Sequence, residues 1–194
     1  KQCQIPRQIA VIGAGIAGLS TAWAFATRGH QVTIYDQSAP LSGGSGNPLA
    51  LLNPKLCSIE QSHEHLMTLA WQHALNHYKK FKAFRSIHVN QLALKNPESL
   101  LALADEYPEH LLATATAEQQ AIATDYPSLN LLEAGTVSPY QLRDEILAHP
   151  QINYQQAKIT SIKQASTVEL FSEESLLGNF DHVIVCTARE TTQF

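Results

Sequence analysis

Apolar residues gather in short blocks near both ends of the chain and in a longer periodic stretch between them. Ile9–Ile12 is a run of four closed by Gly13, and it reads as a short strand buried on both faces. Residues 15–28 carry Ile, Ala, Leu, Trp and Phe on nearly every side, the pattern of a helix packed between other elements. Gly29 suits the C-terminal cap of that helix. QVTIYD, 31–36, is β-branched and aromatic and predicts the next strand. Strand, glycine turn, helix and strand in this order make a βαβ unit.

Beyond it, SGGSGNP (42–48) has the composition of a loop. From Glu64 to Phe84 the spacing predicts a helix, with Leu66, Ala70, Ala74, Phe81 and Phe84 on one face. VNQLALK (89–95) alternates as a strand does. Pro97–Glu106 and Ala117–Ala123 read as helices between proline-marked turns, and Pro139 suits the first turn of a helix over PYQLRDEILAH. INYQQ, KITSIKQ, TVELFS and HVIVCTA are β in character. No internal repeat or low-complexity segment interrupts the chain.

Length and charge then bound the answer. A chain of 194 residues can bury roughly 70% of its unfolded surface, enough for a substantial core. A net charge of −4 gives the whole molecule no electrostatic case for nucleic acid or an anionic membrane. No apolar stretch reaches the ~18 residues of a membrane span, and KQCQIPRQ has neither the apolar core nor the cleavage site of a signal peptide. The three cysteines, Cys3, Cys57 and Cys186, are odd in number with no C-x-x-C spacing. Cys186 lies inside HVIVC and reads as a buried, inert thiol. A reducing, cytoplasmic compartment is expected. The chain starts without Met and reaches a strand within nine residues, which fits a segment of a longer polypeptide or a processed start.

The chemistry sits in the first turn. Gly13, Gly15 and Gly18 form G-x-G-x-x-G between the strand and the helix, and an acid, Asp36, ends the second strand eighteen residues after Gly18. Gly13 allows a tight turn, Gly15 leaves room for a pyrophosphate, and Gly18 lets helix and strand pack closely. The amides of the helix start, at Ile16 and Ala17, carry about half a positive charge toward a phosphate. Asp36 can accept hydrogen bonds from a ribose diol and would repel a 2′-phosphate. These three conditions together imply dinucleotide binding, against the blander reading of a glycine-rich turn in an unrelated α/β protein. The segment after the second strand separates flavin from nicotinamide. A nicotinamide domain usually continues into another short helix, whereas SGGSGNPLALLNPKL is a Gly/Ser loop able to line a ribityl-pyrophosphate.

At these residues the sequence resembles the D-amino-acid-oxidase-type flavoproteins. More narrowly, it is similar to the FAD-dependent half of the bifunctional enzymes that build 5-methylaminomethyl-2-thiouridine in tRNA. VIGAGIAGLSTAWAFATRGHQVTIYD carries the likeness, and Ser45, Gly46, Asn47 and Pro54 match that family's Ser-Gly-Asn turn and following proline. EAGTVSPYQLRDEIL resembles its Gly-x-Val-x-Pro stretch, and DHVIVCTARETTQF the strand, with Thr187, that returns to the flavin. The resemblance implies that Gly13, Gly15, Ile16, Ala17, Gly18 and Asp36 hold the ADP part of FAD. It implies that Ser45 and Asn47 sit near the ribityl chain and flavin, and that the backbone of Ile159 meets the adenine. Ala188 and Arg189 stand where the family often has Gly, as does Ala50, which puts the contacts there in question.

The fold expected is α/β, a doubly wound, Rossmann-like FAD-binding domain, incomplete in this chain. Residues 1–58 would begin it, 59–138 would form part of a substrate-side layer, and 139–194 would return to it. The implied function is FAD-dependent oxidation of a carbon beside an amine, converting carboxymethylaminomethyl-uridine to aminomethyl-uridine at the tRNA wobble position. The flavin carries the redox work while protein groups orient the substrate, so no catalytic dyad is expected or seen. tRNA and a fused or adjacent methyltransferase are the implied partners, with no membrane. Because family members continue well past HVIVC, little turnover is expected from this piece alone. A glycine, sarcosine or D-amino-acid oxidase, and a non-catalytic dinucleotide-binding module, are the alternatives.

Two further clusters read as structural. His73 and His77 are spaced for a metal, but no acid or cysteine completes a set on their face, and His63-Glu64-His65 is not H-E-x-x-H; no metal is expected. YKKFKAFR (78–85) interleaves basic and aromatic residues. Projected on a helix, its cations spread over more than half the circumference, which favours a solvated amphipathic face over an RNA site.

Overall fold

The structure, a computed structural model, describes residues 5–53, 56–120, 125–188 and 191. In chain order its elements begin with β1 (Gln8–Ile12), α1 (Ile16–Ala26), β2 (Gln31–Asp36) and β3 (Ala50–Leu52). Next come α2 (Leu66–Tyr78), β4 (Phe84–Leu92), α3 (Pro97–Glu106), β5 (Leu112–Thr114) and β6 (Ser128–Val137). The last stretch holds α4 (Pro139–Leu147), β7 (Ile152–Gln156), β8 (Ser161–Gln164), β9 (Val168–Ser172), β10 (Ser175–Phe180) and β11 (His182–Val185). The chain divides into two compact units, one of Lys1–Pro48 with Pro139–Phe194 and one of Leu49–Ser138. The sequence reading carries the first segment on to residue 58; the contacts divide at Leu49, because β3 pairs with β6.

The first unit is built on a parallel sheet ordered β11-β1-β2-β7. Its central strand β1 is covered on both faces, Ile9 to Ile12 being at most 4% exposed, which is why its apolar run is unbroken rather than alternating. Successive side chains go to opposite faces. Ala10 and Ile12 join Tyr35, Ile159, Leu170 and Phe180 in one core, so the antiparallel meander β8-β9-β10 covers that side. Val11 faces the other way, toward Gly18 of α1. Leu142 and Ile146 of α4 are fully buried beside the same helix. Thus the α/β reading holds, with helices on one side of the sheet and a β-meander on the other. β10 (Ser175–Phe180), which completes the meander, has no clear signal in the sequence.

The second unit is an antiparallel sheet ordered β3-β6-β4, with β5 also pairing β6. Tyr107, Leu112, Leu129 and Leu131 form its core, and Leu100 and Leu103 of α3 pack against it. Several sequence expectations need correction here. The helix expected over 64–84 runs only from Leu66 to Tyr78, and the strand expected at 89–95 starts at Phe84. The buried residues of α2 are Thr68, Trp71 and Leu75, whereas Leu66 is 74% exposed and Ala70 is also exposed. The sheet chooses that face: the Trp71 indole donates to the Glu133 carbonyl of β6 at 3.1 Å. Phe84 leaves the helix to pair with Val137 in the sheet, and its ring fills the place a Cβ on Gly135, two residues along β6, would take. The helix expected over 117–123 is a single 3-10 turn at Ala117–Gln119 before residues that lie outside the described ones.

Candidate cofactor site

The first unit opens a cavity of about 570 Å³ at the carboxyl ends of its parallel strands. Ligands of α/β sheets bind there, and the volume lies within the usual range for small-molecule sites. One wall is the turn from β1 into α1. Gly13 has φ +105°, and its amide donates to Tyr35 O at 2.7 Å, which locks the turn to β2. A Cβ on Gly13 would lie 2.5 Å from the Cys186 carbonyl oxygen, so the turn also seats against the end of β11. A Cβ on Gly18 would collide with the Gly13 carbonyl. Gly18 therefore packs the helix onto the turn and does not itself line the cavity.

The start of α1 faces the cavity with its first amides. Gly15 caps the helix with extended backbone and no side-chain cap. The amides of a first helical turn have no partner within the helix, so they need an acceptor from outside. The Ile16 amide donates to Ser45 Oγ at 3.1 Å, which leaves the hydroxyl proton of Ser45 available to a further acceptor. Asp36 faces this tip. Its Oδ2 accepts the Ala14 amide at 2.7 Å and its Oδ1 accepts the Ser38 amide at 2.9 Å. A carboxylate offers about four acceptor positions, so two remain for hydroxyls.

Around Asp36, β7 and the loop after β2 hold the carboxylate in place. The Ala157 amide donates to Asp36 O at 2.8 Å, and the Tyr154 hydroxyl donates to Ser38 O at 2.7 Å. Burial, and then the Asp36 charge, push the Tyr154 pKa up, so this hydroxyl stays a donor at neutral pH. Tyr140 Oη donates to Gly46 O at 2.9 Å and ties the Gly/Ser loop to α4. Leu41 is buried against the cavity with φ +66°, a left-handed conformation that costs a branched side chain strain. Strain of this kind gathers at ligand clamps.

Of the residues singled out from sequence, Gly13, Gly15, Ile16, Ala17, Asp36, Ser45, Ile159 and Thr187 all line this one cavity. Asn47 is exposed and lies off its wall. Pro54 and Arg189 lie outside the described residues. Ala188 lines the cavity with φ +52°, the backbone that a glycine would adopt freely. Cys186 is half-buried 4.0 Å from Thr21 Oγ1, and burial pushes its thiol pKa up, so the thiol is protonated and unreactive at neutral pH. Sequence reasoning missed Tyr154 and Leu41. The strand pattern INYQQ could have pointed Tyr154 at the strand end, but nothing in the sequence announces the conformation of Leu41.

The FAD dependent oxidoreductase family model matches residues 8–193. The chain belongs to that family. FAD is therefore the cofactor of this fold, and the cavity suits it: amide donors where phosphates would lie, a clamped carboxylate beside them, and no side chain at Gly15. Across 186 residues the chain is 53% identical to the tRNA 5-methylaminomethyl-2-thiouridine biosynthesis bifunctional protein MnmC of Acinetobacter baylyi, covering 95% of this chain and 30% of that protein. Solved structures share the fold at low identity. L-Amino acid deaminase from Proteus myxofaciens gives a TM-score of 0.76 at 13% identity over 96% of this chain and 46% of its own. Glycine oxidase from Geobacillus kaustophilus gives 0.64 at 15% identity, over 94% and 55%. The chain thus spans under a third of the curated relative and about half of each of these solved chains.

Outside the cavity, His73 and His77 stack with rings 4° from parallel and 6.4 Å apart. Burial, then Lys80 and His73, lower the His77 pKa, which keeps that imidazole neutral at pH 7. Among the described residues no group of three or more metal-ligating side chains comes together, and no helix is long and apolar enough to cross a membrane.

Proposed function

We propose that this chain is the FAD-holding part of an amine oxidoreductase that trims carboxymethylaminomethyl-uridine at the tRNA wobble position. Identity of 53% to MnmC over nearly the whole chain is the observation that carries the reading. Bound FAD would supply the acceptor for the electron pair lost when the carbon beside the amine is oxidised. Hydrolysis of that oxidised arm would release glyoxylate and leave aminomethyl-uridine, the substrate for a methyl transfer by a fused or adjacent domain.

The residues of this chain bind and orient. The Gly15, Ile16 and Ala17 backbone would hold the diphosphate, with the Ser45 hydroxyl adding a donor. Asp36 would accept the ribose hydroxyls, and its negative charge would turn away a 2′-phosphate. The backbone at Ile159 would meet the adenine, and Thr187 the return toward the flavin. None of these groups needs to exchange a proton with substrate. Contacts to the reacting arm of the substrate would come from elsewhere in the full-length protein, which operates in the cytoplasm on this reading.

The test assays full-length protein on hypomodified tRNA and on free N-methylglycine, measuring glyoxylate release and bleaching of flavin absorbance. Glyoxylate from tRNA alone supports the reading. Turnover of only the small amine would assign the chain to an amino-acid oxidase instead.

A further inference from the structure

The chain is acidic as a whole, yet from His65 to Pro97 it contains no Asp or Glu and five cations, Lys79, Lys80, Lys82, Arg85 and Lys95. The fold concentrates four of them. After α2 the chain makes two consecutive tight turns, closed by Phe81 N to Tyr78 O at 3.0 Å and by Phe84 N to Phe81 O at 3.2 Å. Phe81, 5% exposed, is the shared pivot. Lys79 and Lys80 lie at the tip of the first turn and Lys82 at the tip of the second, all exposed, while Ala83 beside Lys82 is buried with Phe81. Arg85, exposed on β4, comes directly after them. Lys79 makes an ion pair with Glu133 of β6. The helical projection that would scatter these charges does not apply, since the helix has ended.

We infer that Lys80, Lys82 and Arg85 form a phosphate-contacting patch for the RNA backbone. This rests on the tRNA reading above and adds a surface to it. A net charge of −4 gives this chain no overall attraction to a polyanion, so a contact between it and RNA phosphates calls for a local patch of this kind. Turn-tip cations on a buried anchor can reach phosphates without entering a groove. Contacts to phosphate position a nucleic acid and carry no sequence information, which suits an enzyme whose target is one modified base. A protein partner would call for an exposed apolar centre in the patch, and here the aromatic pivot is buried.

The experiment measures binding of hypomodified tRNA to full-length, FAD-loaded protein between 50 and 200 mM KCl (a range of roughly the usual width for such titrations). It compares wild type with Lys80→Ala/Lys82→Ala/Arg85→Ala. Each lost phosphate contact lowers the slope of log affinity against log salt by about 0.7–0.9, so the triple variant should lose about 2 to 3 of slope. Its flavin absorbance and thermal midpoint should stay as in wild type. A control, Arg28→Ala/Arg143→Ala/Lys163→Ala, removes the same charge elsewhere and should keep the wild-type slope. An unchanged slope in the patch variant overturns the inference, and so does an equal fall in the control, which would reduce the effect to net charge. Loss of binding to polyglutamate with tRNA binding intact would reassign the patch to an acidic protein. Wild type that fails to bind tRNA at all would overturn the functional reading itself, a result distinct from failure of the patch.

Discussion

Asp36 Oδ2 accepts the backbone amide of Ala14 at 2.7 Å, across the turn between the first strand and its helix. A residue at the end of one strand thereby fixes the peptide that aims the helix start into the cavity. The other carboxylate oxygen fixes Ser38. One side chain thus sets two walls of the same site before any ligand arrives, which is the arrangement that lowers the ordering cost of binding.

Replacing that carboxylate should therefore cost both stability and cofactor. Asp36→Ala leaves the part-buried Ala14 amide without its acceptor, a loss of about 1–3 kcal/mol. Asp36→Asn keeps one acceptor oxygen and should lose less. Flavin-to-protein ratio after gel filtration should fall in both, further in Asp36→Ala. Denaturant midpoints read the stability and absorbance the flavin; full flavin retention by Asp36→Ala would remove Asp36 from the site.

The glycines should separate folding from binding. Gly15 has φ −74°, open to any residue, and an added Cβ would lie 3.3 Å from Ser45 Oγ, the end of a side chain that can rotate away. Gly15→Ala should change stability by less than about 1 kcal/mol yet lower flavin affinity several-fold, because the methyl occupies the phosphate side of the tip. At Gly18 the added Cβ meets backbone, so Gly18→Ala should cost about 1–3 kcal/mol or more. Thermal melts paired with flavin titrations distinguish the two. Equal losses of stability in both variants would contradict these assignments.

Much of this site was legible in the sequence because its geometry is local. Gly13, Gly15 and Gly18 answer to one tight turn and one close packing, and Asp36 is placed by the length of a helix and a strand. The second unit was less legible. There α2 has two candidate apolar faces, and the sheet partner, through Trp71 and Glu133, decides between them. The end of that helix depends on Phe84 pairing with Val137 and covering Gly135, residues far along the chain. Periodicity cannot see a partner of that kind. β3 and β5 are three residues each, too short to carry a period at all.

Ala188 tests how well the sequence exposes strain. Its φ of +52° costs an L-residue about 1–2 kcal/mol, and Gly removes that cost while adding about 0.4–1 kcal/mol of unfolded-chain entropy. Ala188→Gly should thus gain about 0.5–1 kcal/mol net, seen as a higher thermal midpoint. Since Ala188 lines the cavity, removal of its methyl should leave flavin uptake equal or improved. A lower midpoint would mean the Ala side chain contributes packing that outweighs the strain.

The acid limb of stability should trace in part to Asp181. Asp181 and Gln8 exchange two hydrogen bonds: Gln8 N donates to Asp181 Oδ2 at 2.8 Å, and Asp181 N donates to Gln8 O at 2.8 Å. Together they start the β1–β11 pairing that carries the glycine turn. The Gln8 amide is the largest cause holding the Asp181 carboxyl below its ordinary value of 3.8, and Arg7 and His182 add to it. The folded chain therefore keeps this group charged where the unfolded chain has begun to take up protons. Its stabilisation is complete above the ordinary value and drains away as pH falls through the lower, folded one. Asp181→Asn should be less stable than wild type at pH 7, and the gap should close as pH drops below about 4. Thermal midpoints taken from pH 7 downward measure this gap. A gap that stays constant through the acid range would show that the carboxylate's charge adds nothing beyond the shape of the side chain.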